Sequence, residues 1–218
     1  LAVGRERVRV VRPGIEHRPY APSQARPRAP FRVGFLSRLS AEKGLDLVVE
    51  AFRRIARRAT DAVLAVAGQA SGRDRTLWGE LHAKLAKEGL AARVEFLGEV
   101  DFAGKVAFLR KCSVFCLPSR LIERRGMAVL EALAAGVPAV VPARGVFPEI
   151  LSLTGGGVAV PPDDPQATAD ALARLHTDPA EADRLGHAAA AGVVAHYGAP
   201  RMAEDTLAAY RGIVPDGS

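Results

Sequence analysis

The sequence is poor in the residues that announce several common functions. Aromatic residues fill only 6% of its 218 positions, which disfavours a surface that stacks the bases of single-stranded nucleic acid. Cysteine occurs twice, at Cys112 and Cys116, with no clustered histidine, so buried thiols in a disulfide-free protein are expected rather than zinc or a nucleophile. His17, His82, His176, His187 and His196 are scattered and show no metal-ligand spacing. No apolar stretch reaches the roughly 20 residues needed to span a bilayer, because Pro, Gly and charges break each one. The amino end lacks the order of a signal peptide, so the expected location is the cytoplasm. Neither GxGxxG nor a Walker A loop follows the first apparent strand, which excludes the nicotinamide fingerprint and the P-loop. Lysine is absent from residues 1–38, where nine arginines stand against Glu6 and Glu16, a net of +7. The rest of the chain carries 21 basic and 22 acidic residues, so the overall +6 belongs to an arm and the body is neutral. That distribution argues against nucleic acid as a partner. A solvated linker is favoured for the arm over a surface built for anions, with contact to the inner face of an anionic membrane as the alternative.

What is present is the periodicity of an α/β domain. Pro13, Pro19, Pro22, Pro27 and Pro30 leave no room for a helix over residues 12–30. Beyond them, near-continuous apolar runs at 31–36, 62–68, 93–98, 113–119, 138–143 and 156–162 predict six strands buried on both faces. Helical patterns intervene at about 45–58, 73–88 and 102–111, and three more follow at 165–176, 180–196 and 199–212. Alternation of this kind means βαβ units and a doubly wound, Rossmann-like parallel sheet. The expected division is a basic Pro-rich linker over 1–30, the sheet domain over 31–178 and carboxy-terminal helices over 179–218. With strand order 3-2-1-4-5-6, strands 1 and 4 adjoin, and ligands bind outside their carboxyl ends. The loops expected there are 37–44 and 118–126.

Those two loops carry the most unusual polar residues. The first holds Ser37, Arg38, Ser40, Glu42, Lys43 and Gly44. Arg38 and Lys43 flank a helix start, an arrangement that suits a diphosphate, although alone they read as ordinary surface charge. The second holds Ser119, Glu123, Arg124, Arg125 and Gly126. After it, from Met127 to Val137, the only side chain that is neither apolar nor Gly is Glu131. An unpaired buried carboxylate is costly, so Glu131 is expected to accept hydrogen bonds. A pair of ligand hydroxyls is favoured over a protein cation such as Arg. Glu149 and Asp164 are expected to cap helices.

Taken together, the segments "VRVVRPGIE", "GFLSRLSAEKGLDLVVEAF", "VEFLGEV", "SVFCLPSRLIERRGMAVLEALAAGVPAVV" and "GVFPEIL" resemble the carboxy-terminal, donor-binding domain of GT-B-fold retaining glycosyltransferases, the family 4 group. The resemblance covers about residues 9–212, and Glu123 and Glu131 occupy the two acids of its E-x7-E motif. It implies that Arg38 and Lys43 neutralise the diphosphate of a nucleotide-sugar donor without a metal or other cofactor. It also implies that Glu131 takes the ribose hydroxyls, that Glu123 contacts a transferred hexosyl unit, and that Ser119 and the backbone of Gly126, Met127 and Ala128 complete the site.

Two departures shape the expectations. The family usually has an apolar or aromatic residue before the motif's Gly, where this chain has Arg125, preceded by Arg124; one of them is expected to face an anionic sugar or acceptor. The family's amino-terminal, acceptor-binding domain is not recognisable, and the first residue is Leu. The chain is therefore expected to be part of a longer enzyme, to bind nucleotide weakly and not to turn over alone. Alternatives are a non-catalytic nucleotide-binding module and a GT-B relative such as a nucleotide-sugar epimerase.

Overall fold

A computed structural model describes residues 8–22 and 29–212. Six short runs form strands: β1 (Arg32–Leu36), β2 (Val63–Ala67), β3 (Val94–Gly98), β4 (Val114–Cys116), β5 (Ala139–Pro142) and β6 (Gly157–Val160). The helices are α1 (Leu45–Ala56), α2 (Arg73–Lys87), α3 (Phe102–Lys111), α4 (Met127–Ala134), α5 (Phe147–Thr154), α6 (Pro165–Thr177), α7 (Pro179–Tyr197) and α8 (Ala199–Arg211). All strand pairs are parallel, in the order β3-β2-β1-β4-β5-β6. This is the expected doubly wound sheet.

Burial on both faces explains the unbroken apolar strands. On one face α1 packs against α2 and α6; on the other, α7 covers α4 and α5. Leu45, Val48, Val49, Phe52 and Ile55 recur along α1 at helical spacing and are all buried. Each such side chain contributes about 1.5–3 kcal/mol by leaving water. At the far end of α1, Arg93 donates to the carbonyls of Ala56, Ala59 and Ala62 and so satisfies the open helix terminus. Asp164 caps α6 as expected, accepting from the N–H groups of Gln166 and Ala167. The two edge strands are the exceptions: Phe96 and Leu97 of β3 stay exposed, and β6 buries only Val160.

The expectation of a solvated linker is corrected for the described residues before β1. Ile15 and Tyr20 are buried in the main core. Ile15 donates its N–H to the Tyr197 carbonyl and accepts from Ala199 N–H, at 2.8 and 3.0 Å. A single 3-10 turn, Arg18–Tyr20, packs against α3 and α4, and Arg110 donates to the carbonyls of Pro19 and Ala21. Proline excluded a helix here, but two large apolar side chains were enough to dock the segment. Residues 1–7 and 23–28 of the basic arm lie outside the described residues. Helix α8 buries none of its side chains, and Met202, Leu207 and Tyr210 are exposed along it. No helix among the described residues is long and apolar enough to cross a membrane.

Candidate functional site

The loops after β1 and β4 meet, as the strand order requires. Gly44 adopts φ +77°, and a Cβ there would lie 2.0 Å from the Pro118 carbonyl oxygen, so only glycine permits the approach. Arg120 N–H donates to the Glu42 carbonyl at 2.8 Å. The Arg120 guanidinium grips both carboxylate oxygens of Asp46, in the first turn of α1, at 2.7 Å each. Arg144, after β5, donates to the Arg120 carbonyl at 3.0 Å and pairs with Asp163, after β6, at 2.7 Å. Gly145 presses on the backbone of Glu123, and Val146 N–H donates to the Glu123 carbonyl at 2.9 Å. Four loops at the carboxyl end of the sheet are thus fastened into one wall. Arg120 and Arg144 escaped sequence reasoning, because nothing in their own neighbourhoods marks them as cross-loop clamps.

At one end of the wall, Lys43 Nζ lies 2.6 Å from Glu123 Oε1. The same oxygen accepts from Ser119 Oγ at 3.0 Å, and Ser119 is fully buried. Arg38 is exposed and pairs with Glu42 at 3.0 Å. Arg124 and Arg125 are exposed and make no side-chain hydrogen bond or ion pair among the described residues. Gly126, at φ +64°, opens α4, and no side chain caps that helix. Its leading N–H groups, at Met127 and Ala128, follow Glu123 by four and five residues.

At the other end, Glu131 Oε1 accepts from Tyr20 Oη at 2.9 Å and from Lys105 Nζ at 2.5 Å. The Lys105 ammonium also lies over the Tyr20 and Phe102 rings, 5.7 and 5.5 Å from their centroids. Burial pulls the Lys105 pKa down, but hydrogen bonds with Glu131 and Tyr20 outweigh it and hold the ammonium above the ordinary lysine range. Burial likewise raises the Tyr20 hydroxyl, with Glu131 adding to the shift. The lone carboxylate, for which ligand hydroxyls were favoured over a protein cation, therefore has protein donors, a lysine and a tyrosine. Lys105 and Tyr20 went unnoticed because they stand far from Glu131 in the chain.

Other candidates fall into structural roles. Glu149 does not cap α5; it pairs with Arg12 of the upstream segment at 2.6 Å. Cys112 and Cys116 are free and fully buried, and burial pushes the Cys112 thiol up to about 12. An open groove of about 670 Å³ between α1 and α6 is lined by Arg53, Arg54, Arg57, Arg58 and Arg174, toward the amino ends of the strands and away from the wall just described.

The switch-point end of this doubly wound domain thus brings together two lysine-held carboxylates and an uncapped helix start. Residues 19–191 match the family model "Glycosyl transferases group 1", and the chain belongs to that family. It is 34% identical over 221 residues to the D-inositol 3-phosphate glycosyltransferase of Kribbella flavida, a match that covers 94% of the chain and 51% of that relative. It is 31% identical over 193 residues to the phosphatidyl-myo-inositol mannosyltransferase of Mycobacterium leprae, covering 88% of the chain and 49% of the relative. The chain thus spans about half the length of these curated relatives. Among solved structures it resembles the C-terminal domain of a group 1 glycosyl transferase (LpcC) from Francisella tularensis, with TM-score 0.79 and 24% identity, covering 85% of this chain and all of that one. Anabaena HepE, solved with UDP and glucose, gives TM-score 0.79 and 21% identity over 93% of this chain and 56% of that one. The fold is therefore that of the carboxy-terminal half of group 1 glycosyltransferases.

Proposed function

We propose that the chain is the donor-binding half of a retaining glycosyltransferase that moves a hexosyl unit from a nucleoside-diphosphate sugar to an acceptor hydroxyl. The observation that carries this reading is the Lys43–Glu123 pair beside the uncapped start of α4, in the crevice between β1 and β4. When the bond from the sugar C1 to the phosphate oxygen breaks, its electron pair leaves with the phosphate. Arg38 and Lys43 stabilise that charge as fixed cations, without a metal. Glu123, steadied by Ser119, and the N–H groups of Gly126, Met127 and Ala128 face the transferred sugar. Glu131 takes the ribose hydroxyls. Arg125, beside Arg124, meets a negative charge on the sugar or acceptor. The names of the Kribbella and Mycobacterium relatives, which include inositol 3-phosphate and phosphatidyl-myo-inositol, support an anionic acceptor.

Turnover requires a second, acceptor-binding half, as the twofold length of the relatives suggests. The exposed apolar side of α8 offers it a docking surface. The cytoplasm, with peripheral contact to an anionic membrane, is the proposed location. A thermal-shift screen of nucleoside diphosphates and nucleotide sugars against the 218-residue chain tests the reading. A melting temperature raised by at least one nucleoside diphosphate, without added metal and without sugar transfer, is expected. No shift with any of them would remove the donor-site assignment.

A further inference from the structure

Tyr20 precedes β1, 111 residues from Glu131, yet its hydroxyl reaches the Glu131 carboxylate. Both described donors to that carboxylate, Tyr20 and Lys105, converge on Oε1. Oε2 has no donor among the described residues, and the side chain keeps 15% of its surface exposed. One oxygen is gripped by the protein and the other is left open. The Tyr20 ring is 3% exposed and lies edge-on to Phe102, with centroids 5.8 Å apart.

Anchoring of the segment does not need that hydroxyl. The Ile15 bridge to Tyr197 and Ala199, the bonds from Arg110 to Pro19 and Ala21, and the Arg12–Glu149 pair already hold it. What the hydroxyl adds is an orientation for Glu131. We infer that Tyr20 is a positioning residue for the nucleoside end of the crevice: it fixes Glu131 by one oxygen, presents the other to ligand hydroxyls, and so couples the seating of residues 15–21 to nucleotide binding. This rests on the proposed role of Glu131 toward ribose. The coupling is reciprocal, because whatever the seated segment contributes to nucleotide affinity, the nucleotide returns to the segment.

The experiment uses the 218-residue chain, its Tyr20→Phe variant, and two probes: the nucleoside diphosphate that binds best and its 2′,3′-dideoxy counterpart. Phenylalanine keeps the ring packing and removes only the hydroxyl. Calorimetry is expected to show Tyr20→Phe binding the ribose form roughly threefold to tenfold more weakly, the scale of one hydrogen bond to a charged group. The dideoxy form should bind both proteins alike. Hydrogen exchange at residues 15–21 of the unaltered chain should slow with the ribose form and not with the dideoxy form; this needs no variant and decides the matter if Tyr20→Phe folds poorly. Equal losses for both probes, unchanged affinity, or exchange indifferent to the ribose hydroxyls would overturn the inference. Failure of every nucleoside diphosphate to bind the unaltered chain would instead remove the donor reading beneath it.

Discussion

The two carboxylates of the crevice, eight residues apart, are held by different means. Glu123 is served by Lys43 and Ser119, which come from the loops that the strand order brings together, and its backbone is pinned by Gly145 and Val146. Glu131 is served by Lys105 from α3 and by Tyr20 from a segment that precedes the sheet altogether. One end of the site is therefore a property of the sheet and its loops. The other also depends on how an upstream segment sits on the body. A ligand spanning both ends would couple the loops of the sheet to the segment that precedes it.

The largest effect should come from the sheet-built end. In the proposed longer enzyme, Lys43→Ala removes a cation from the proposed leaving group and leaves Glu123, whose side chain is 18% exposed, without its charge partner. A fall in kcat/KM of roughly a hundredfold to a thousandfold is expected, the scale of losing one fixed donor at a developing charge. A fall of less than about fivefold would mean that this end does not stabilise the transition state. A smaller effect should follow Arg120→Ala. It breaks the clamp to Asp46, which contacts no proposed ligand. Because both partners are about a third exposed, the stability cost is put at about 1 kcal/mol, seen as a lower urea midpoint. Nucleotide affinity should drop several-fold as the two loops lose register, whereas the Tyr20–Lys105–Glu131 cluster should keep its hydrogen-exchange protection. Loosening of both ends together would show that the two ends are not held independently.

The same division explains what could be foreseen. Strand order, the meeting of loops 37–44 and 118–126, and the acids Glu123 and Glu131 were legible because each depends on local periodicity or on one topological rule. The Asp164 cap was legible for the same reason. Tyr20, Lys105, Arg120 and Arg144 were not, since each acts on a partner in another element, between 19 and 111 residues away. Pro-rich composition pointed to a loose arm, and it is a poor guide when an Ile15 and a Tyr20 within it can be buried. Glu149 shows the reverse error: a first-turn acid reads as a helix partner from sequence, but its nearest cation is Arg12, 137 residues upstream.

The smallest effect, and the one that separates the two ends most cleanly, is on pH dependence. Hydrogen bonds from the Lys105 ammonium to Glu131 and Tyr20 more than offset its burial, so its folded pKa lies above the unfolded value of about 10.4. Tyr20 is raised in the same sense, by burial first. A group raised on folding contributes stability that is fully present below its unfolded pKa and is lost as pH rises through the folded one. The Glu131 cluster should therefore weaken above about pH 10, while the Arg120–Asp46 clamp keeps its charge throughout. Because the Lys105 side chain is a quarter exposed, its pairing is put at about 1 kcal/mol, or roughly 2–4 °C in Tm for a chain of this size. Tm of the unaltered chain should exceed that of Lys105→Met by this margin at pH 8, and the gap should narrow as pH rises above about 10. A gap that does not narrow with rising pH would assign the effect of Lys105 to packing of its methylene stem over the Tyr20 and Phe102 rings rather than to its charge. The Glu131 end would then be held by shape, and titration could no longer tell it from the clamped end.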